Sequence, residues 1–317
     1  MPLLRKAILL AAGGLALAYT VACTGKTADR AAPPATAAPP TPQKVGEIGG
    51  LKTPESARYD GRHDVWFISN INGVPSEKDG NGFVTRVSGD RATIDTAFIK
   101  GGANGVTLNA PKGLAISGDT LWIADIDVVR GFDATTGAPL ASIDLKPLGA
   151  VFLNDVVVGP DGALYITDTG IRITPKGTTH PGPDRVFRVA HAHADEILKF
   201  AHAEGPNGIA FDAERGRFLI VPFASATIFQ WRRGAAAADS IGSGPGGYDG
   251  VEVLADGRVL VSSWSDSTIH VLDAGALAPF IRGVAGPADI GIDTTRGLVG
   301  IPIFEAGRVE FWTIPGR

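Results

Sequence analysis

The chain has one cysteine, Cys23, in 317 residues. A lone cysteine cannot form an internal disulfide, so its position needs another reason. Beyond the first 25 residues there is no amphipathic segment of 3.6-residue period, which excludes a helical bundle. The formal charge is −4 and no basic stripe runs through the sequence. Nucleic acid is therefore not an expected partner. No G-x-S-x-G, no phosphate-binding P-loop and no G-x-G-x-x-G between strand and helix is found, so serine-elbow, nucleotide and dinucleotide chemistry have no sequence support. The main apolar run, Ala7 to Tyr19, is short against the roughly 20 residues a membrane helix needs.

That run follows Arg5 and Lys6 and ends Thr20-Val21-Ala22-Cys23. A basic start, an apolar middle and small residues before a cleavage point make a signal peptide over 1–22. The ending resembles a bacterial lipobox, in which the cysteine after the cut is lipidated. It fits at Val21 and Ala22, whereas Thr20 stands where Leu is commoner. More than one acyl chain on Cys23 would anchor the protein stably, at the cell envelope, in the periplasm or on the outer surface. Residues 23–44 are rich in Ala, Pro and Thr, cannot bury a core, and are expected to form a disordered tether.

The whole chain has 42 glycines and 22 prolines, and the rest, 45–317, reads as short apolar runs broken by Gly, Asp and Asn. This is the pattern of an all-β domain. Six openings recur at intervals of about 40–57 residues, a period that signals a propeller or solenoid. They are Pro54-Glu55-Ser56-Ala57, Pro111-Lys112-Gly113-Leu114, Leu153-Asn154-Asp155-Val156, Pro206-Asn207-Gly208-Ile209, Tyr248-Asp249-Gly250-Val251 and Pro287-Ala288-Asp289-Ile290. Each starts a unit of four strands, with turns such as Gly159-Pro160-Asp161-Gly162 between them. The sixth unit has only three strands before the chain ends. Val45–Leu51 has the look of an outer strand and would complete it. The expectation is a six-bladed β-propeller, monomeric, with its N-terminal strand closing the last blade and removing sheet edges.

One position per opening should face the axis: Glu55, Lys112, Asn154, Asn207, Asp249 and Ala288. Two carboxylates and two carboxamides among them are hard oxygen donors with a summed charge of −2, which suits Ca²⁺ or another divalent cation. No His or Cys lies in the column, which disfavours zinc and copper. A polar, water-filled axial channel would use the same residues. Ala288 would leave room for a ligand. A second ring should come from the ends of the second strands, with Asn70, Asp125 and Asp168 polar and Phe223, Trp264 and Phe304 aromatic. Converging polar groups beside an apolar wall make a small-molecule site. Asp125 and Asp168 would also suit turn caps. Three roles are open to Lys112: an ion pair with Glu55 or Asp249 in place of a metal, an oxyanion donor, or an outward-snorkelling side chain.

The segments Pro54-Glu55, Leu153-Asn154-Asp155, Pro206-Asn207-Gly208 and Tyr248-Asp249-Gly250 resemble the SMP-30/gluconolactonase/LRE family of six-bladed propellers. The resemblance covers most of 45–317. It implies a divalent metal, usually calcium, on Glu55, Asn207 and Asp249, with Asn154 beside it touching substrate. It implies hydrolysis of lactones, or in some members phosphotriesters, with Asp249 as general base. Two positions depart from the family. Phe152 stands where its sugar lactonases carry an Arg, and Lys112 enters the ring. The loss of that Arg points to a substrate other than an aldonolactone. The rival expectation is a non-catalytic, NHL-like propeller that binds a small ligand or protein partner.

Overall fold

The computed structural model describes residues 40–191, 193–273 and 275–316. The signal segment, Cys23 and the tether up to residue 39 lie outside the described residues. Among the described residues no helix is long and apolar enough to cross a membrane.

Six antiparallel four-stranded sheets form the blades. Blade one is Pro54–Asp60, Val65–Asn70, Phe83–Ser88 and Ile94–Lys100, and blade two is Pro111–Ser117, Thr120–Asp125, Val128–Asp133 and Pro139–Asp144. Blade three is Leu153–Val158, Leu164–Asp168, Arg185–Ala190 and His193–Lys199. Blade four is Pro206–Asp212, Arg217–Pro222, Thr227–Trp231 and Asp239–Ser243, and blade five is Tyr248–Val253, Val259–Ser263, Thr268–Asp273 and Ala276–Arg282. Blade six is Gly291–Asp293, Leu298–Ile303 and Arg308–Thr313, with Lys44–Ile48 paired antiparallel to the last of these. The N-terminal strand therefore closes the ring, and it stops at Ile48 because Gly49-Gly50 follows, with Gly50 in the left-handed region (φ 78°).

The blades are held by apolar clusters in the gaps between them. Phe67 meets Leu114 and Leu121 between blades one and two, and Trp66 meets Phe311 between blades one and six. Tyr165 stacks on Phe218 with centroids 4.3 Å apart between blades three and four. Each sheet buries both faces this way, so its strands read as short continuous apolar runs.

The recurring opening has a structural cause. In blades one to five the pairing of first and second strands slips at the same place: Pro54/Ala57, Pro111/Leu114, Leu153/Val156, Pro206/Ile209 and Tyr248/Val251. A bulge leaves two residues outside the ladder and re-aims their side chains. The second-strand hydroxyls of Ser69, Thr167 and Ser262 accept the freed amides of Ser56 (2.9 Å), Asp155 (3.0 Å) and Gly250 (2.7 Å). Thr167 Oγ1 then donates to the Asn207 carbonyl of the next blade, 2.6 Å away. The innermost strands approach so closely that a Cβ at Gly113 would stand 2.5 Å from the Asp155 Cα, and one at Gly208 2.3 Å from the Asp249 carbonyl oxygen. Those two places need glycine.

Away from the opening, Arg58 of blade one spans the axis. It pairs with Glu252 of blade five, donates to the Leu114 carbonyl at 2.9 Å and lies 3.7 Å from Asp289. At this level the axis is bridged by an ion pair rather than left as an open channel. Blade three carries an addition the sequence pattern did not signal. A second small sheet, Arg172–Thr174 paired with Gly177–Thr179, is inserted between its second and third strands.

Candidate active site

A cavity of about 590 Å³ opens at the end of the axis where the bulges lie. Glu55, Lys112, Asn154, Asn207 and Asp249 all line it, so the structure brings five of the six column residues together. Each is buried, with Lys112 only 1% exposed. Ala288 is fully buried and is not among the lining residues, so it opens no space for a ligand.

Asp249 Oδ2 accepts a hydrogen bond from Trp264 Nε1 at 2.9 Å. Asn154 Nδ2 donates to Thr169 Oγ1 at 3.0 Å, and that hydroxyl donates to the Pro206 carbonyl. Burial raises the Glu55 carboxyl well above the usual range, and the nearby Asp249 and Asp289 charges raise it further. Burial likewise raises Asp249, with Asp289 adding to the effect. Two buried carboxylates this close disfavour their shared ionisation.

Lys112 departs from two of its three expected courses. It does not snorkel, and among the described residues it makes no ion pair with Glu55 or Asp249. Its Nζ donates to the Ala110 carbonyl at 3.1 Å and sits 4.2 Å from the Phe152 ring centroid, a cation–π contact. Burial lowers its pKa to about 8, against the opposing pull of Glu55. Phe152, at the position where a family Arg would stand, thus seats a different cation.

The second ring is displaced by one residue from its expected position in half the blades. The backbone amides of Ile71, Thr169, Phe223, Trp264 and Phe304 make equivalent bonds, to the carbonyls of Thr53, Phe152, Gly205, Gly247 and Gly286. Equivalent to the aromatics are therefore Ile71 and Thr169, not Asn70 and Asp168. Pairing agrees, since Asn70, Asp125, Asp168, Pro222, Ser263 and Ile303 each face the first residue of their opening. A one-residue step in a strand reverses the face a side chain occupies.

Asn70, Asp125 and Asp168 accordingly do not line the cavity. They hold the loops that lead into the inner strands. Asn70 Oδ1 accepts from the Lys52 amide at 3.0 Å. Asp125 Oδ1 accepts from Ala110 N at 2.9 Å, and Asp168 Oδ1 from Phe152 N at 2.7 Å. Arg130 and Arg185 pair with the two carboxylates. Both aspartates thereby fix the two groups, Ala110 and Phe152, that seat Lys112. Their partners are backbone amides, as turn and loop caps require.

Phe223, Trp264 and Phe304 do form one wall of the cavity. Trp264 is the middle ring, 5.6 Å from Phe223 and 5.4 Å from Phe304. Sequence reading missed the facing wall, which comes from the blade-one loop (Val74, Pro75) and the blade-three insertion (Ile171, Ile173, Pro175). Ile173 N donates to Ser76 Oγ at 2.9 Å, fastening the two together. The available signal was length: 16 residues separate Asp168 from Arg185, where two separate Asp125 from Val128.

Solved structures share this architecture. The chain superposes on a gluconolactonase from Xanthomonas campestris with a TM-score of 0.63 at 19% identity, covering 88% of this chain and 95% of that one. It superposes on a luciferin-regenerating enzyme with a TM-score of 0.64 at 11% identity, over 88% and 97% of the two chains. A chain of a nidogen/laminin complex gives 0.56 at 16% identity, over 74% and 81%. No curated protein sequence matches. The family model for the SMP-30/gluconolactonase/LRE-like region matches residues 54–278. That match takes in the five openings whose residues line the cavity, and this chain belongs to the SMP-30/gluconolactonase/LRE-like family.

Proposed function

We propose that the protein is a lactonase-like hydrolase that opens a lactone or ester, with a divalent cation held by Glu55, Asn207 and Asp249 and Asn154 beside it. One observation carries this reading. Glu55 Oε2, Asn207 Oδ1 and Asp249 Oδ1 are buried oxygens without a hydrogen-bond partner, and all three side chains border the same cavity. An unpaired buried polar atom is costly, and a cation on the three oxygens would offset that cost. Among the described residues no three His, Cys, Asp or Glu are grouped to hold a metal. The donors here are two carboxylates and two carboxamides, the hard oxygens that calcium takes.

A bound cation would polarise the substrate carbonyl and acidify a water molecule. The chain's own groups supply the rest. Trp264 holds Asp249 by Oδ2, and Oδ1, on leaving the cation, would accept the proton of the attacking water. Lys112, buried at the cavity, would donate to the carbonyl oxygen as it gains charge. Asn154, oriented by Thr169, fixes the substrate's position.

Thermal unfolding tests the cation. A site present only in the folded state stabilises by about 2.7 kcal/mol at one hundred times the dissociation constant. The melting temperature should therefore rise with Ca²⁺ and fall back with chelator. No shift, together with no metal in the purified protein, would leave a ligand-binding propeller without catalysis. From its N-terminal sequence the protein is further proposed to be exported and lipid-anchored through Cys23. Cys23→Ser should move it from the membrane to the soluble fraction, and unchanged fractionation would refute the anchor.

A further inference from the structure

Above its charged floor the cavity wall is mostly hydrocarbon, with the hydroxyl-bearing Thr53, Thr169 and Thr174 also lining it. Phe223, Trp264 and Phe304 form one side, and Ile71, Ile173 and Pro175 stand on others. Phe223 is 42% exposed at the rim, among the most exposed large apolar side chains described. The charged groups lining the cavity are Glu55, Lys112 and Asp249 at the floor, and Glu305. The Ile173–Ser76 bond fixes the aliphatic wall in place across blade two. The slot between the walls is thus built, not a chance gap between loops.

A polyhydroxylated ring would bring several hydroxyls against these walls, and each buried hydroxyl without a partner weakens binding. An alkyl chain gains from the same walls with every methylene buried. We propose that the substrate is a lactone bearing an unbranched alkyl substituent of about six to ten carbons, sized to a cavity of this class. This rests on the hydrolase reading above. The ring carbonyl lies at the floor and the chain runs outward between the walls. Water adds its oxygen to the carbonyl carbon, the ring C–O bond breaks, and the departing alkoxide takes up a proton. The product is a hydroxy acid with the chain intact.

The test uses the full chain with Ca²⁺ and two parallel series. In γ-lactones with side chains of zero to eight carbons, kcat/KM should rise about three- to fourfold per methylene. Polyhydroxylated aldonolactones should be the poorest substrates. Alkyl lactams, which resist hydrolysis, should bind more tightly with each methylene by calorimetry. Phe223→Ser, which removes a half-exposed ring and leaves the core intact, should flatten both slopes. Lactams that tighten with length while no lactone is cleaved would sustain the apolar ligand and sink the hydrolase. Lactam binding indifferent to length, or an aldonolactone preferred in turnover, would overturn the proposal whether or not the protein is a hydrolase.

Discussion

Asp249→Asn should lower kcat/KM for lactone hydrolysis by about 10³-fold while leaving the fold intact. Positioned proton transfer contributes roughly 10²–10⁴-fold in enzymes generally, and the aspartate is also one of two anionic donors to the cation. Asparagine keeps the volume and an oxygen that can accept the Trp264 Nε1–H bond. It loses the charge and the basicity. The carboxyl of Asp249 is raised well above its usual range, first by burial and then by Asp289. Glu55 is raised by burial and then by Asp249 itself. Removing one of these crowded charges relieves repulsion, so in chelator the variant should melt no lower than the parent. In Ca²⁺ it should lose most of the metal-dependent gain. Circular dichroism melts with and without metal, beside initial rates on one lactone panel, separate the two effects. Turnover within threefold of the parent would remove Asp249 from the chemistry.

How much of this site the sequence exposed depends on which residues carry it. The axial column was legible because bulges impose a local rule. Two residues leave the ladder at each inner-strand opening, so small or polar residues recur there whatever the blade's packing. Ring closure was legible from a missing strand and a spare one. The second ring was not, because its membership depends on strand pairing that no single segment specifies. Asp125 and Asp168 stand out in sequence for the same reason they lie outside the cavity: they are the carboxylates that cap the preceding loops. Ile71 and Thr169, at the true ring positions, carry no signal of their own. The Arg172–Thr179 insertion carries no periodic pattern, since two three-residue strands are too short for one.

Lys112→Met should tighten binding of the divalent cation by tenfold or more and, in the same protein, slow hydrolysis by about 10²-fold. The ammonium is buried beside the donors and has no carboxylate within ion-pairing distance to neutralise it. Even at an effective dielectric near 20, a unit charge several ångströms from a divalent cation opposes it by about 4 kcal/mol. A third of that surviving solvent and counter-charges is already about tenfold in affinity. Methionine matches the length of the lysine stem and packs on the Phe152 ring, so the seat is kept and only the charge goes. Loss of a donor to a developing oxyanion costs roughly 10²–10³-fold, which sets the fall in rate. The two signs decide what Lys112 is. If it only stands in for a metal, the variant gains both cation affinity and turnover. If it serves the oxyanion, affinity rises while turnover falls, read by calorimetry with Ca²⁺ and by kcat at saturating metal. Unchanged cation affinity would mean that the cation does not sit beside Lys112, and the ligand set of Glu55, Asn207 and Asp249 would have to be given up with it.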